Sequence, residues 1–590
     1  MKRNRSAAVV AVVAVSAMAA ALFSTASANG VKPAPTSAPK VQRVLIVLFD
    51  QMLPKYADQF AMPNFRRVRD HGRDFEQAYL GYMASETVIA HNVITSGLLP
   101  KHMGYTDEAY RDTGDVFGKG ADAMHITGDF SLADFATIEK NAGHQYPKLA
   151  DYLHAARPGT KFITVGEKSY AVEAATGASG DIAVRLSSRK SNVTGDFNGL
   201  DGGCRNLSIP GTTGNGKWRG PDGKAVPSYL MRPDRHDPTL CGRYFINSDK
   251  NNDYGTKLGL RSQLYPSEGN RTWPGNDPAH LGGDTWAADA AIEMMDHENW
   301  SGMFVTLAAI DKAGHMWGAD EDTAPANCST LASQTHVRCA AENADVQLGK
   351  LLAKVDQVDA KRGGKTLVVL TADHGATYAA NFYGKTDPLS SDSNWYFAPA
   401  DRGVYDAGSL GALDTDTYSH PSPAVSDILN ADGNLQFSYQ STAIESWLID
   451  RSEPKLLDGA QNMLNMPGVT ASYIHRGDHY DLFGTNGDMT PSELAWWTAH
   501  GQEIVDSMAA PDGPDVIGLE HDRTGYGVYG DHGGAQESVQ RVPMVFWLPG
   551  MKPGSTSESF RTTDITPTIL QAMGISPTTP MDGTGHALTP

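Results

Sequence analysis

Five short runs in this chain are apolar at nearly every position: "VLIVLFD" (44–50), "KFITVG" (161–166), "GMFVTLAAID" (302–311), "TLVVLTADH" (366–374) and "VPMVFWLPG" (542–550). A strand with one wet face alternates polar and apolar residues. Continuous apolar runs of this length belong to strands covered on both faces, as in a largely parallel sheet between helices. The segments between them carry the longer helical period: "YPKLADYLHAA" (146–156), "GDTWAADAAIEMMDHE" (283–298) and "CAAENADVQLGKLLAKVDQV" (339–358). Strand and helix alternating over this length predict an α/β sandwich. Two stretches break the rhythm. Residues about 187–282 are rich in Gly, Asn, Asp and Pro, and residues about 380–515 show little regular alternation. Both read as insertions on the sheet that form a cap over its active edge.

The N-terminus stands apart from this pattern. "MKRNRS" is basic, the residues after it are small and apolar, and Ala26-Ser27-Ala28 has the small-x-small form of a cleavage site. The expectation is a cleaved secretory signal peptide over 1–28, a flexible Pro/Ala/Ser-rich leader over 29–42, and one folded domain over 43–585. The mature chain is then exported and soluble, without a transmembrane anchor. A net charge of −19 argues against stable nucleic-acid binding and leaves an anionic substrate in need of local positive charge. Metal ions supply such charge. The four cysteines, Cys204, Cys241, Cys328 and Cys339, form no CxxC pair, so two disulfides are expected in an exported protein. Of the three possible pairings, the nearest-neighbour one (204 with 241, 328 with 339) is taken as the working expectation.

In open α/β sheets ligands bind beyond the carboxyl ends of the strands, and those ends are uniform in residue type here. The first run ends in Asp50. The third ends in Asp311, with His315 four residues on, and the fourth ends in Asp373-His374. "GYGVYGDHGG", before the last run, offers Asp531 and His532. Each alone has a plain explanation, since a strand-terminal Asp often caps a helix. Together, at one sheet edge, they are a set of carboxylates and neutral imidazoles, the ligand types of zinc. Six to seven such groups fit two ions roughly 4 Å apart that clamp an in-line displacement. "ASETVIAHNVITSGLLPKHMG" (84–104) opens a short helix and offers Thr87 and Ser85 as nucleophiles. Amides at a helix N-terminus would receive an anion there. His475 and His479, in "IHRGDHYD", fit a surface loop better than a third metal site, and Asp387 and Asp392 complete no EF-hand loop.

These pieces, in this order, resemble the alkaline phosphatase superfamily, and most closely its nucleotide pyrophosphatase/phosphodiesterase-like members. The resemblance rests on Asp50, Thr87 with Gly97, Asp311/His315, Asp373/His374-Gly375, His532-Gly533 and the closing "TTDITPTILQAMGI". It implies an alkaline-phosphatase-like sandwich and two zinc ions per chain. Asp311, His315 and His532 would hold one ion; Asp50, Asp373, His374 and the Thr87 oxygen would hold the other. It also implies hydrolysis of a small phosphate-ester substrate through a covalent phospho-threonine at Thr87. The chain departs from the family pattern at three places. Glu108 stands where family diesterases place an Asn against a phosphoryl oxygen, and Ile89-Ala90 replace the usual Pro-Asn. Lys168 is present where some monoesterases of the superfamily grip phosphate, but Tyr170 replaces their Arg, which favours diesters. No C/S-x-P-x-R motif lies near residue 87, so a sulfatase is disfavoured. A phosphomonoesterase or phosphonoacetate-type hydrolase is the enzymatic alternative, and a binding protein that keeps the fold is the non-enzymatic one.

Overall fold

The computed structural model describes residues 41–185, 279–319, 336–383 and 425–588 apart from short gaps, together with Cys328 and four two-residue strands between 212 and 242. The expected signal peptide, residues 29–40 of the leader, most of the first insertion, Cys204, Asp387 and Asp392 lie outside the described residues.

Thirteen strands build two sheets: β1 (Val41–Phe49), β2 (Arg73–Tyr79), β3 (Lys161–Gly166), β4 (Ile182–Arg185), β5 (Trp300–Leu307), β6 (Lys365–Thr371), β7 (Leu435–Gln440), β8 (Ala443–Leu448), β9 (Val469–His475), β10 (Tyr480–Thr485), β11 (Val516–Glu520), β12 (Met544–Trp547) and β13 (Gly554–Arg561). The main sheet has eight strands in the order β13-β2-β12-β6-β1-β5-β3-β4. Its centre is parallel: β1 pairs in parallel with β5 and β6, β5 with β3, and β3 with β4. β12 alone runs antiparallel, to β6 on one side and β2 on the other. Helices α1 (Thr87–Ser96), α2 (Leu149–Ala156), α3 (Ser169–Thr176), α4 (Ala279–His297), α5 (Ala309–Trp317) and α6 (Val337–Arg362) flank it, with α4 and α6 packed on each other. The apolar runs become strands because both of their faces are covered. Every residue of β1 from Val44 to Phe49 is fully buried, and each such Val, Leu or Ile contributes roughly 1.5–3 kcal/mol relative to an exposed position.

Two boundaries differ from the sequence expectation. β1 starts at Val41, inside the expected leader, and the Arg157 guanidinium donates to the Val41 carbonyl at 2.6 Å. The third run is not one strand to Asp311. β5 stops at Leu307, and "AID" opens α5, because the first turn of a buried helix is as apolar as the strand before it.

The second stretch read as irregular holds the second sheet, five strands in the order β7-β8-β11-β9-β10. Its buried polar residues, among them Ser438, Glu445, Ser446, Thr470 and Ser472, dilute the apolar pattern that marks a strand. This sheet is tied to the hairpin of Ala109–Asp112 and Ala123–Ile126 by a buried ion pair. Arg111 Nη2 donates to Asp515 Oδ2 at 2.8 Å and to the Leu448 carbonyl at 3.0 Å. Removing one member of a buried pair strands the other, so Asp515→Ala is expected to cost about 3–5 kcal/mol by denaturant unfolding. A cost below about 1 kcal/mol would mean that Arg111 is hydrated or re-paired. The Cys328–Cys339 disulfide is present as expected.

Candidate metal centre and nucleophile

The main sheet brings the candidate residues to one edge. Its parallel strands all deliver the residues after them to the same side: β1 leads into Asp50, β6 into Asp373 and His374, β3 into Lys168, and β5 into α5 with Asp311 and His315. β2 runs in the same direction and leads, through residues 80–86, to Thr87 at the start of α1. β12 runs the other way, so the segment before it, with His532, reaches the same edge. On α5 the four-residue spacing sets Asp311 and His315 on one helix face, with His315 Nε2 3.0 Å from Asp311 Oδ1.

The three imidazoles share one orientation. His374 Nδ1 lies 3.0 Å from the Gly375 carbonyl and His315 Nδ1 2.9 Å from the Gly530 carbonyl. His532 Nδ1 lies 2.9 Å from Glu86 Oε2 and 3.2 Å from the Ser85 carbonyl. Each partner is an acceptor, so each Nδ1 carries a proton and Nε2 is the ring atom turned toward the centre; against burial, Glu86 and Asp311 hold His532 well above the usual imidazole range. The Nε2 atoms face carboxylates. His532 Nε2 is 3.5 Å from Asp311 Oδ1, while His374 Nε2 is 3.8 Å from Asp50 Oδ1 and 3.6 Å from Asp373 Oδ2. The rings of His374 and His532 stack at 3.7 Å. Two sets result, Asp311/His374/His532 and Asp50/Asp373/His374, each with its ligand atoms within 4.8 Å of one another. His374 belongs to both.

This donor set fits divalent zinc. Asp50 Oδ1 and Asp373 Oδ2 are fully buried and accept no hydrogen bond among the described residues. Burial, with repulsion between the two carboxylates, pushes Asp50 well above the usual carboxylate range, and burial pushes Asp373 up to about 6. Burial also holds His374 well below the usual imidazole range. Asp50, Asp311 and Asp373 put three buried carboxylates against the single Lys168 ammonium and these imidazoles, a surplus of acidic groups whose burial a bound cation would offset.

Thr87 is the first residue of α1 rather than its cap and is 3% exposed. Its Oγ1 lies 3.4 Å from His374 Nε2 and accepts from Lys168 Nζ at 3.2 Å. Ser85 is engaged elsewhere: its Oγ donates to the Gly534 carbonyl and accepts from the Gly533 amide. Lys168 is buried between Asp50 Oδ2 at 2.9 Å and Asp311 Oδ2 at 2.6 Å. Burial opposes its charge, but Asp311 and Asp50 outweigh that and hold the ammonium well above its ordinary range. Glu108 Oε1 accepts from the Val88 amide at 3.2 Å, at the N-terminus of α1. Burial and the neighbouring Glu86 push Glu108 up to about 7. Asp531 serves its own turn, accepting from the His532 and Gly527 amides. His475 and His479 lie in the β9–β10 hairpin, hydrogen-bonded to Gly477 and Asp478.

Three residues at this edge were not singled out from the sequence. Glu86 holds the Nδ1 proton of His532. His91, one helical turn after Thr87, donates from Nδ1 to the Thr87 carbonyl at 2.7 Å and accepts from Thr306 Oγ1 at 2.8 Å. Gln51 has φ 63°, donates its amide to Asp373 Oδ1 at 3.0 Å, and reaches the Gly530 carbonyl with its side chain. Gly314 makes room for it, since a Cβ there would lie 1.8 Å from Gln51 Oε1. The spacing of His91 from Thr87 was legible. The other two act through contacts across hundreds of residues.

Comparison with known proteins places this edge in context. Residues 44–416 match the profile of a family described as type I phosphodiesterase / nucleotide pyrophosphatase. A protein named calcium-transporting ATPase, from Myroides odoratus, is 22% identical over 561 residues, covering 91% of this chain and 92% of its own. The crystal structure of the alkaline phosphatase PafA superposes with a TM-score of 0.51 at 16% identity, covering 92% of this chain and 97% of that one. A multiply substituted mutant of the same phosphatase gives a TM-score of 0.52 at 15% identity, with the same coverage.

Proposed function

Given that the chain belongs to the type I phosphodiesterase / nucleotide pyrophosphatase family and is a phosphoric ester hydrolase, we propose that it cleaves phosphodiester or nucleotide pyrophosphate bonds on two zinc ions, through a covalent phospho-threonine at Thr87. The supporting observation is the pair of ligand sets that share His374, with Thr87 Oγ1 3.4 Å from its Nε2. Asp311, His315 and His532 are proposed for one ion, His315 through its 3.0 Å approach to Asp311 rather than through the observed set, which holds His374 in its stead; Asp50, Asp373, His374 and Thr87 Oγ1 are proposed for the other. Bound zinc would lower the pKa of the hydroxyl and neutralise charge on the transferring group.

The chain's own residues do the rest. His91 and the α1 backbone fix Thr87. Lys168, within 3.2 Å of Oγ1, is placed to meet a phosphoryl oxygen of a substrate bound there. Glu108, on the Val88 amide, takes a place where a phosphoryl oxygen would sit and disfavours the more charged dianion of a monoester. The domain over 43–585 is proposed to be exported through the 1–28 signal peptide. Among the described residues, no helix is long and apolar enough to cross a membrane.

The test is hydrolysis of bis-p-nitrophenyl phosphate beside p-nitrophenyl phosphate, with chelation and zinc add-back. A zinc-restored preference for the diester supports the reading. A monoester preference turns it to a phosphomonoesterase, and silence on both points to a phosphonate or a specialised leaving group. Glu108→Asn is expected to raise kcat/KM on the monoester relative to the diester by about tenfold, or ~1.4 kcal/mol. An unchanged ratio would place Glu108 away from the substrate.

A further inference from the structure

We propose that Glu86 is a positioning residue of the metal centre: its carboxylate accepts the Nδ1–H of His532 and so aims that imidazole's Nε2 at the ion held with Asp311. The inference rests on the two-zinc reading above. Four observations carry it. Glu86 Oε2 lies 2.9 Å from His532 Nδ1, and Glu86 is 3% exposed. Glu86 stands at the N-cap of α1 in extended conformation, yet its side chain caps no helix amide. The carboxyl groups of Asp107, Glu108, Glu445 and Asp531 also face it, and the His532 Nδ1–H is the donor that satisfies it among them.

The fourth observation is the space left for the carboxylate. Gly533 has φ +99°, and a Cβ on it would lie 2.3 Å from Glu86 Oε1 and 2.2 Å from Ser441 Oγ. A side chain at 533 would therefore crowd the Glu86 carboxylate at Oε1, beside the Oε2 that meets His532, and Ser441 Oγ with it. The glycine after the histidine and the glutamate before the threonine are two halves of one device. Consecutive residues then touch both metal sets: Ser85 and Glu86 hold His532, and Thr87 Oγ1 meets His374 Nε2. The Ser85 carbonyl, at 3.2 Å, is the second acceptor of the same proton and supports the ring without supplying charge.

The experiment is zinc affinity by chelator competition on the full-length mature protein, with the electronic spectrum of the cobalt(II)-substituted form, for wild type, Glu86→Ala, Glu86→Gln and Gly533→Ala. Supporting a hydrogen-bonded ligand histidine is worth roughly 10–100-fold in metal affinity. Glu86→Ala should weaken one of the two ions by that factor, leave the other unchanged and alter the cobalt spectrum. Glu86→Gln keeps an acceptor and should recover part of the loss. Gly533→Ala should reproduce the weakening with Glu86 still present, which keeps the test sound if Glu86→Ala fails to fold. Wild-type affinity for both ions in the Glu86 variants, or equal loss of both, would overturn the inference. A wild-type protein that binds fewer than two zinc ions would overturn the two-zinc reading instead.

Discussion

Thr87→Ala is expected to reduce turnover by on the order of 10³-fold or more, while zinc content stays at about two ions per chain. The two effects separate because the loss of Thr87 leaves each set its carboxylates and imidazoles. Asp311, His374 and His532 remain in one, and Asp50, Asp373 and His374 in the other. The neighbouring hydroxyl offers no substitute. Ser85 Oγ is committed to the backbone at Gly533 and Gly534, so it cannot turn to the substrate without giving up two buried hydrogen bonds. Steady-state rates on the diester and elemental analysis of the purified variant check both halves. Near-normal turnover in Thr87→Ala would move the nucleophile to solvent and remove the phospho-threonine. Loss of zinc together with activity would make Thr87 a ligand first and a nucleophile second.

Much of this edge was legible in the sequence for a simple reason. Asp50 and Asp373-His374 follow closely on parallel strands that are buried along nearly their whole length, and the carboxyl ends of such strands all open on the same side of the sheet. His532 was harder, since it precedes its strand; it arrives only because β12 is the antiparallel member. Asp311 was identified with the wrong local structure, a strand end rather than the first turn of α5. Glu86 and Gln51 carried no signal. Their partners, His532 and Asp373, lie more than three hundred residues away, and only the folded sheet makes them neighbours.

The fold shows the same division. The five runs that are apolar on both faces all became strands of the main sheet. The missed members were β2, β4 and β13. β13, "GSTSESFR", pairs in parallel with β2 along one edge of the sheet and is largely exposed, so its pattern is polar. The second sheet was missed for the opposite reason. Glu445 is 1% exposed and Ser438 and Ser472 are fully buried, so burial there does not coincide with hydrophobicity.

His374→Ala should have the broadest effect of any single change, because this imidazole alone belongs to both ligand sets. Its Nε2 is 3.8 Å from Asp50 Oδ1, 3.6 Å from Asp373 Oδ2 and 3.4 Å from Thr87 Oγ1. Removing it leaves the buried carboxylates of Asp50 and Asp373 facing one another with fewer donors to share a cation. It also strips His532 of the ring stacked on it at 3.7 Å. Zinc content is expected to fall below about one ion per chain, with turnover lost in proportion and not restored by excess zinc. His315→Ala is the informative contrast. His315 sits at the outer side of the centre, joined to Asp311 and the Gly530 carbonyl. Its loss should weaken one ion and leave the Asp50/Asp373/His374 set intact. If His374→Ala and His315→Ala proved indistinguishable in metal content, the two sets would not be separate, and a single-ion centre would be the better description of this edge.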